Sequence, residues 1–396
     1  MTIRPERDHS PIRSNNPART PRRERPRGTG ATALSGLDNL TLSRKEGWQQ
    51  RAYAPARIPP EPLTRKQIRT LGEKARRCYN RQRRIWHANL PTIKTEPLKE
   101  IQKAVELVID SNMQDGDKAK GCVGIEGPPA IGKSIAIQDL AFNYHRREID
   151  ELGEYVGDNE RWPVCRVGMT GNTDMRAFNR AMLNFYNHAG AKTGTATDFA
   201  RRALDCVLSC QTRLLIVDDL HFLKVRTTSQ EISNQFKYIS NEFPLTIVFI
   251  GIGLRQRGLY SDGEYAGDVL GQSGRRITGL TMREFSIDDE PGRWEWRRLL
   301  LSIEKRIVVA DKEHGMLADD LSDYLWERSS GRIGSLMALI TRACHLAITS
   351  GREVINQALL EGIRNDEASE QKRPELHAGF AAGRLTSKPK GYRRKT

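Results

Sequence analysis

The stretch GPPAIGKS, Gly127 to Ser134, most constrains what this chain can fold into. It satisfies the pattern G-x-x-x-x-G-K-[ST] and lies between an apolar run, GCVGIEG, and a helix-forming run that begins KSIAIQDLAF. A loop in this setting holds phosphates through backbone N–H groups and the amino terminus of the helix. The prolines need not donate, because the amides that face the phosphates come from later in the loop. We therefore expect a nucleotide site that consists of Gly127, Pro128, Pro129, Ala130, Ile131, Gly132, Lys133 and Ser134.

Apolar runs alternate with helical patterns on both sides of this loop. The runs GCVGIEG, WPVCRVGM, RLLIVDDLH and LTIVFIGIG each predict a strand, and helix-forming segments separate them. This alternation predicts an α/β fold, with a parallel sheet flanked by helices. After residue 285 the pattern becomes helical, through EWRRLLLSIEKRI and RIGSLMALITRACHLAIT, which predicts an additional small C-terminal helical domain.

The same patterns predict five segments along the chain. Residues 1–66 are rich in Arg, Pro, Ser and Asn, so we expect a disordered basic N-terminal arm. Residues 67–115 predict a helical entry segment, and residues 116–284 predict the α/β nucleotide-binding domain. Residues 285–368 predict the helical domain, and residues 369–396 predict a basic C-terminal tail.

The overall charge suggests a polyanionic partner. The chain has 64 Lys and Arg residues against 49 Asp and Glu residues, a formal net charge of +15. Such a balance is typical of proteins that bind nucleic acid, although it can also serve solubility alone. The six cysteines form no CxxC pair, which favours reduced thiols. Without an apolar run long enough for a membrane span or a signal peptide, we expect a cytoplasmic, nucleoid-associated protein.

Two carboxylates follow the third predicted strand. In LLIVDDLH, Asp218 ends the apolar run and Asp219 comes directly after it. We expect Ser134 and Asp218 to hold Mg²⁺, and Asp219 to stand where a carboxylate activates water. A glutamate is usual at that position, and the shorter aspartate places its carboxylate on the order of 1.5 Å short. The fourth strand ends in Gly251, Ile252 and Gly253, with no side chain that could orient water, so we expect slow hydrolysis.

Two arginine features come later in the chain. Arg275 and Arg276, in GQSGRRITGL, precede a short apolar run, where an arginine could reach the γ-phosphate of a neighbouring subunit. Arg332, in SSGRIGSL, opens a helix of the helical domain and could reach phosphate within its own subunit. Either feature could equally be a solvated surface.

The order of these motifs resembles that of an AAA+ ATPase with its small helical domain. The segments YNRQRRIWHANLPTIKTEPLKEI and QFKYISNEFPLTIVFIGIG are similar to those of TniB/TnsC-type ATPases of DNA transposition. The resemblance covers about residues 70–350 and implies that ATP and Mg²⁺ bind at the loop. It also implies a homo-oligomer, a ring or a helical filament, that forms on double-stranded DNA. That assembly would engage a transposase and a target-selection protein.

The resemblance also implies roles for individual residues. Asp219 and Arg332 would be catalytic, with Arg276 as the arginine that reaches the neighbouring subunit and Arg275 as the alternative. DNA would be tracked by loops on the inner surface of the assembly, whose candidate residues here are Thr170, Asn172, Thr173, Arg176, Lys224 and Arg226. For the first of these loops a hydrophilic helix start, capped by Thr173 or Asp174, remains the alternative.

Two other functions share the same core. One is a replication ATPase of the helicase-loader or IstB type, for which no motif in this chain selects. The other is a DNA-binding adaptor that ATP holds together, with negligible hydrolysis.

Overall fold

The computed structural model of the protein describes residues 36–170, 173–220, 239–240, 243–256 and 276–391. Its centre is a five-stranded parallel sheet with the strand order β4-β5-β6-β1-β7. A separate antiparallel hairpin, β2-β3, was not expected from the sequence. The strands are β1 Cys122–Glu126, β2 Tyr155–Val156, β3 Asn159–Glu160, β4 Val164–Gly168, β5 Leu214–Asp218, β6 Thr246–Gly251 and β7 Ile277–Thr281.

Helices precede, flank and follow the sheet. The helices that precede β5 in the chain are α1 Lys45–Ala52, α2 Arg65–Thr70, α3 Glu73–Ala88, α4 Glu96–Ser111, α5 Lys133–Leu152, α6 Met175–Phe185 and α7 Ala196–Ser209. Those after the sheet are α8 Glu290–Glu304, α9 Ser322–Ser329, α10 Ile333–Thr349, α11 Gln357–Glu361 and α12 Glu367–Ala381. A single π-helical turn, Met316–Asp320, lies between α8 and α9.

The sheet forms the larger of two hydrophobic cores. Every residue of β5 and β6 is buried, as expected for parallel strands that are covered on both faces. Helices α4 and α5 pack against each other, and α6 packs against α7 and β4. The parallel α/β architecture predicted from the sequence is therefore confirmed.

The second core belongs to the helical domain, which here means the helices α8 to α12. Its centre is made of side chains such as Trp296, Leu300, Leu336 and Leu360, all with no exposed surface. Helix α3 joins this domain from the amino-terminal side. The Arg83 guanidinium on α3 forms a buried ion pair with Glu353, with Nη1 2.6 Å from Oε2.

The disordered N-terminal arm predicted for residues 1–66 is too long. Helix α1 lies within it, and its Trp48 side chain is completely buried against Phe142, with ring centroids 4.5 Å apart. Arg146 donates to the carbonyl oxygen of Ala52 at 2.5 Å, which fixes the end of the helix. This helix contains few apolar residues, so its composition resembles that of a disordered segment. The buried Trp48 side chain nevertheless packs it against the core.

The basic tail predicted for residues 369–396 begins too early, because the fold continues past residue 369. Helix α12 continues to Ala381, and its Arg373 binds Glu327 of α9, with Nε 3.0 Å from Oε1. Ser387 is fully buried and donates to Asp323 at 2.7 Å. Polar side chains attach this segment to the helical domain, so a hydrophobic pattern could not reveal it.

Candidate functional site

The loop Gly127 to Ser134 connects the carboxyl end of β1 with the first turn of α5. Its backbone takes left-handed conformations at Ala130 (φ 61°) and Gly132 (φ 89°). A Cβ atom on Gly127 would lie 2.3 Å from the carbonyl oxygen of Met282, so the loop needs a glycine there. The loop is therefore pressed against the chain that follows β7, with the amino terminus of a 20-residue helix behind it.

Lys133 lies over the mouth of this loop. Its Nζ donates to the carbonyl oxygens of Gly127 (2.8 Å) and Pro128 (2.7 Å). Burial lowers the pKa of Lys133, and the negative charges of Asp218 and Asp219 oppose that shift. A partly desolvated ammonium group held in this position is well placed to bind phosphate as a point charge.

Ser134 and Asp218 bring two oxygen donors together beside Lys133. The Ser134 hydroxyl donates to Asp218 Oδ1 at 2.9 Å, across the gap between α5 and β5. Oxygen donors of this kind suit Mg²⁺, which is bound by few protein ligands together with substrate phosphates. The residues predicted to hold magnesium therefore fit the ion.

Arg166 also reaches this carboxylate, which was not expected from the sequence. Its Nη2 lies 2.8 Å from Asp218 Oδ2, and its buried Nε has no hydrogen-bond partner in the described part of the chain. The residue follows an ordinary strand pattern in WPVCRVGM. An arginine inside an otherwise apolar strand was the only available signal.

Asp219 comes directly after β5 and is exposed. Its backbone is left-handed (φ 60°), and its N–H donates to Asp218 Oδ1 at 3.1 Å. Aspartate and asparagine tolerate this conformation better than most residues. The conformation therefore offers a physical reason for an aspartate at this position.

The helical domain touches the loop at the start of α10. The Gly334 N–H donates to the Ala130 carbonyl oxygen at 2.7 Å. Arg332, the residue before α10, is partly buried, and its Nε has no hydrogen-bond partner among the residues described. The predicted sensor arginine thus lies two residues from a direct contact with the phosphate loop, with an N–H group available.

Arg276 lies elsewhere. It directly precedes β7, whose first residue, Ile277, pairs with Cys122 at the start of β1. The phosphate loop begins at the other end of β1, roughly 13 Å along the strand. Arg276 is exposed at the amino edge of the sheet, so it does not face the loop of its own subunit.

The end of β6 carries no polar side chain from Gly251 to Gly253, as expected. Polar groups approach from outside that strand. The Arg255 N–H donates to Glu126 Oε2 at 3.0 Å, and Gln256 lines a cavity of about 680 Å³ beside Gly127. Neither residue was expected to border the site.

The loop predicted to touch DNA is described only in part. Thr173 is buried, and its hydroxyl donates to the Thr170 carbonyl oxygen at 2.6 Å. It therefore shapes the loop, as the alternative of a hydrophilic helix start expects, and its role as a DNA contact stays a prediction. Asp174 caps α6, where its carboxylate accepts from the Ala177 N–H at 2.7 Å. Arg176 is exposed and donates to the Gly194 carbonyl oxygen at 3.0 Å.

Four predicted site residues lie outside the described residues: Asn172, Lys224, Arg226 and Arg275. None of the helices in the described ranges is long and apolar enough to span a membrane.

Comparisons with known proteins agree with this fold. Residues 92–266 match the family model described as Bacterial TniB protein. No curated protein matches the chain. The structure is similar to that of the Aeropyrum pernix ORC2 protein in ADPNP–ADP complexes, with a TM-score of 0.52 and 13% identity over 71% of this chain and 70% of that one. It is also similar to the Aeropyrum pernix ORC1 protein in complex with DNA, with a TM-score of 0.51 and 13% identity over 76% of this chain and 71% of that one.

At this identity the solved structures bear on the fold alone, which is the AAA+ fold. Residues 92–266 are therefore similar to the TniB family, and the described residues have the AAA+ fold.

Proposed function

We propose that the chain is an ATP-dependent, DNA-binding regulator of transposition that assembles on duplex DNA and engages a transposase at the target site. The observation that carries the proposal is the hydrogen bond from Gly334 of the helical domain to Ala130 of the phosphate loop. Through this contact, a nucleotide in the loop would meet side chains from both domains. Nucleotide binding would then fix the relative position of the domains, and so the surface that a second subunit meets.

Each residue of the site has a part in this scheme. Lys133 and the loop amides bind the β- and γ-phosphates, and Arg332 binds phosphate from the helical domain. Ser134 and Asp218 would hold Mg²⁺, which supplies charge neutralisation on the phosphates. Asp219 orients the attacking water, and Arg276 of one subunit reaches the site of the next.

DNA is the partner that the charge favours. The net charge of +15 suits a polyanion, and the loop after β4 lies on the same edge of the sheet as Asp218, since the Met169 N–H donates to the Asp218 carbonyl oxygen at 2.8 Å. Thr170 and Arg176 remain the described candidates for phosphate contacts. The structural relative ORC1 of Aeropyrum pernix is in complex with DNA, which accords with this partner.

Filter binding to duplexes of unrelated sequence tests the proposal. We expect tight binding with ATP, weak binding without it, and a strong decrease in affinity as salt rises. The Lys133→Ala variant should lose the effect of ATP. The Lys99→Ala variant removes an exposed lysine outside the site and should retain it. Binding by the unaltered chain that ignores ATP would rule the proposal out, as would monomers in electron micrographs taken with ATP and DNA.

A second candidate is an adaptor in which ATP serves only to hold subunits together. The short carboxylate of Asp219 and the absence of a polar side chain from Gly251 to Gly253 favour slow hydrolysis. The Asp219→Asn variant separates the two functions. If disassembly from DNA and the choice of target site are unchanged in that variant, hydrolysis has no part in the function.

A further inference from the structure

A basic pocket lies away from the nucleotide site, where α3, α10 and the segments on either side of α1 meet. Its volume is about 320 Å³. The polar side chains that line it are Asp38, Arg57, Arg81, Arg84, Asn89 and His345. The lining therefore contains three guanidinium groups and one carboxylate, so basic side chains outnumber acidic ones. We call this feature the α3 pocket.

Arg81 and Arg84 are the two arginines that α3 contributes to the α3 pocket. They are three residues apart on one helix, so their side chains lie on the same face, about one turn apart. Arg81 is exposed, whereas Arg84 is partly buried, and its buried Nε has no hydrogen-bond partner among the described residues. A buried N–H group without an acceptor destabilises the protein, and an anion in the pocket would supply that acceptor.

Two features oppose an anion in the α3 pocket, and both are weak. Asp38 brings one negative charge. The carboxyl end of α3 also points its carbonyl groups here, but the Asn89 side chain caps one of them by donating to Ile85 at 2.8 Å. The partial charge at an exposed helix terminus is about half an elementary charge and is screened by salt, so the guanidinium groups prevail.

The chemistry of the donors and the charge of residues 1–35, which precede the pocket residues in sequence, indicate which anion would bind. Guanidinium groups match phosphate oxygens bidentately. Residues 1–35 contain eight arginines and three acidic residues, and this arm joins the described chain next to Leu37 and Asp38, which line the pocket. Residues 1–35 therefore add to the positive charge of the chain, which favours a polyanionic occupant.

We propose that the α3 pocket binds phosphates of a nucleic-acid backbone. This contact is separate from the loops at the carboxyl edge of the sheet, and it does not require ATP. It gives the chain a second phosphate contact, carried by α3 and the helical domain.

Two double variants on the same helix test the proposal. Arg81→Ala with Arg84→Ala removes two charges from the α3 pocket. The control, Arg76→Ala with Arg77→Ala, removes two exposed charges from the same helix that do not line the pocket. Duplex affinity is measured across a range of salt concentrations, without ATP and in the Lys133→Ala background. That background leaves this readout intact even if the ATP-dependent function proposed above fails.

Loss of two phosphate contacts should reduce the slope of log affinity against log salt by about 1.8. We expect that reduction in the pocket variant and little change in the control. Equal reductions in both variants would indicate diffuse surface charge, and no reduction in either would show that the pocket does not touch DNA. Either result overturns the proposal. The thermal unfolding midpoints of the two variants should agree, and a large loss in the pocket variant alone would assign the arginines to folding.

Competitors distinguish other sources of negative charge. Polyglutamate that carries the same number of negative charges as the DNA should bind the unaltered chain and the pocket variant with the same affinity. If the pocket variant loses polyglutamate binding as strongly as DNA binding, the occupant is an acidic protein segment. If inorganic phosphate raises the unfolding midpoint of the unaltered chain only, while the DNA salt slope is the same for both, the occupant is free phosphate. Each of these outcomes rejects a nucleic-acid backbone.

Discussion

The Arg166 guanidinium and the Asp218 carboxylate form an ion pair at the nucleotide site, with Nη2 2.8 Å from Oδ2. Strand pairing produces it. Arg166 of β4 lies opposite Ile216 of β5, two residues before Asp218, so both side chains emerge on the same face of the sheet. The Asp218 side chain is 3% exposed and that of Arg166 is 15% exposed. Arg166 is therefore a positioning residue, which holds the carboxylate that faces Ser134.

Arg166→Ala should destabilise the protein by about 3 kcal/mol without nucleotide, because it removes the guanidinium group that pairs with a buried carboxylate. Mg²⁺ with ATP should recover most of this loss, since a divalent ion compensates the same charge. The matched control is Arg297→Ala, which breaks the Arg297–Asp319 ion pair of the helical domain, with 9% and 10% of the side chains exposed. Unfolding midpoints with and without Mg²⁺ and ATP give the answer. An equal recovery in both variants would contradict a role for Arg166 at the site.

The short side chain of Asp219 should limit the rate of ATP hydrolysis. Asp219→Glu extends the carboxylate by one methylene and should raise phosphate release severalfold, at a cost of about 1 kcal/mol because glutamate tolerates φ 60° less well. Asp219→Asn keeps the backbone preference and should lower phosphate release about 100-fold. ATP binding, followed with a fluorescent analogue, should stay unchanged in both. A glutamate variant no faster than the unaltered chain would show that the length of this side chain is not limiting.

The nucleotide loop and the sheet could be predicted from sequence because each depends on local pattern. GPPAIGKS fixes its own backbone, and the runs that become β1 and β5 are apolar throughout. Arg166 and Trp48 could not be predicted, since their roles depend on partners 52 and 94 residues away in the chain, Asp218 and Phe142. Helix α12 was missed for a related reason. Arg373 of this helix and Ser387 after it attach the segment to the helical domain through polar contacts. In sequence, such polar residues resemble a solvated tail.

The contact between Gly334 and the phosphate loop should require a glycine. A Cβ atom at this position would lie 2.8 Å from the Ala130 carbonyl oxygen, so Gly334→Ala should push the start of α10 away from the loop. We expect ATP affinity to fall on the order of tenfold, as Arg332 moves with the helix. Gly362→Ala is the control, because its Cβ would lie 3.5 Å from the Leu359 oxygen, an ordinary contact. Titration with a fluorescent ATP analogue compares the two, and equal affinities would contradict the prediction.

The stability of the helical domain should fall in mild acid. Burial lowers the pKa of His87 to about 4, and the charges of Arg83 and Lys312 act in the same direction. Its Nε2 accepts from the Val308 N–H at 2.9 Å, which requires the neutral ring. An unfolded histidine titrates near pH 6.5, so the unfolded chain binds the proton first as pH falls. The contribution of His87 is therefore complete above about pH 6.5 and decreases towards pH 4, by about 3 kcal/mol.

His87→Gln keeps an acceptor for the Val308 N–H and removes the titration. The free energy of unfolding, measured in denaturant at pH 7 and pH 4.5, should depend less on pH in this variant. Some dependence should remain, because burial also lowers the pKa of His145 to about 4. Parallel curves for His87→Gln and the unaltered chain would contradict the assignment.

Arg276 should act on the nucleotide of a neighbouring subunit. The strand β1 separates it from its own phosphate loop by more than an arginine side chain spans, because Ile277 pairs with Cys122 at the far end of that strand. Arg276→Ala should bind ATP normally and hydrolyse it about 1000-fold more slowly, the usual effect of removing such an arginine. Asp219→Asn should also be nearly inactive, about 100-fold below the unaltered chain, while it keeps its Arg276.

Mixing these two inactive variants makes the test decisive. In a mixed assembly, an Asp219→Asn subunit supplies its arginine to the intact site of an Arg276→Ala subunit. With random order in a head-to-tail assembly, about a quarter of the interfaces would be complete, so phosphate release should return to about that fraction. An arginine that acted within its own subunit would leave the mixture as inactive as its parts, because no single chain would then contain both groups.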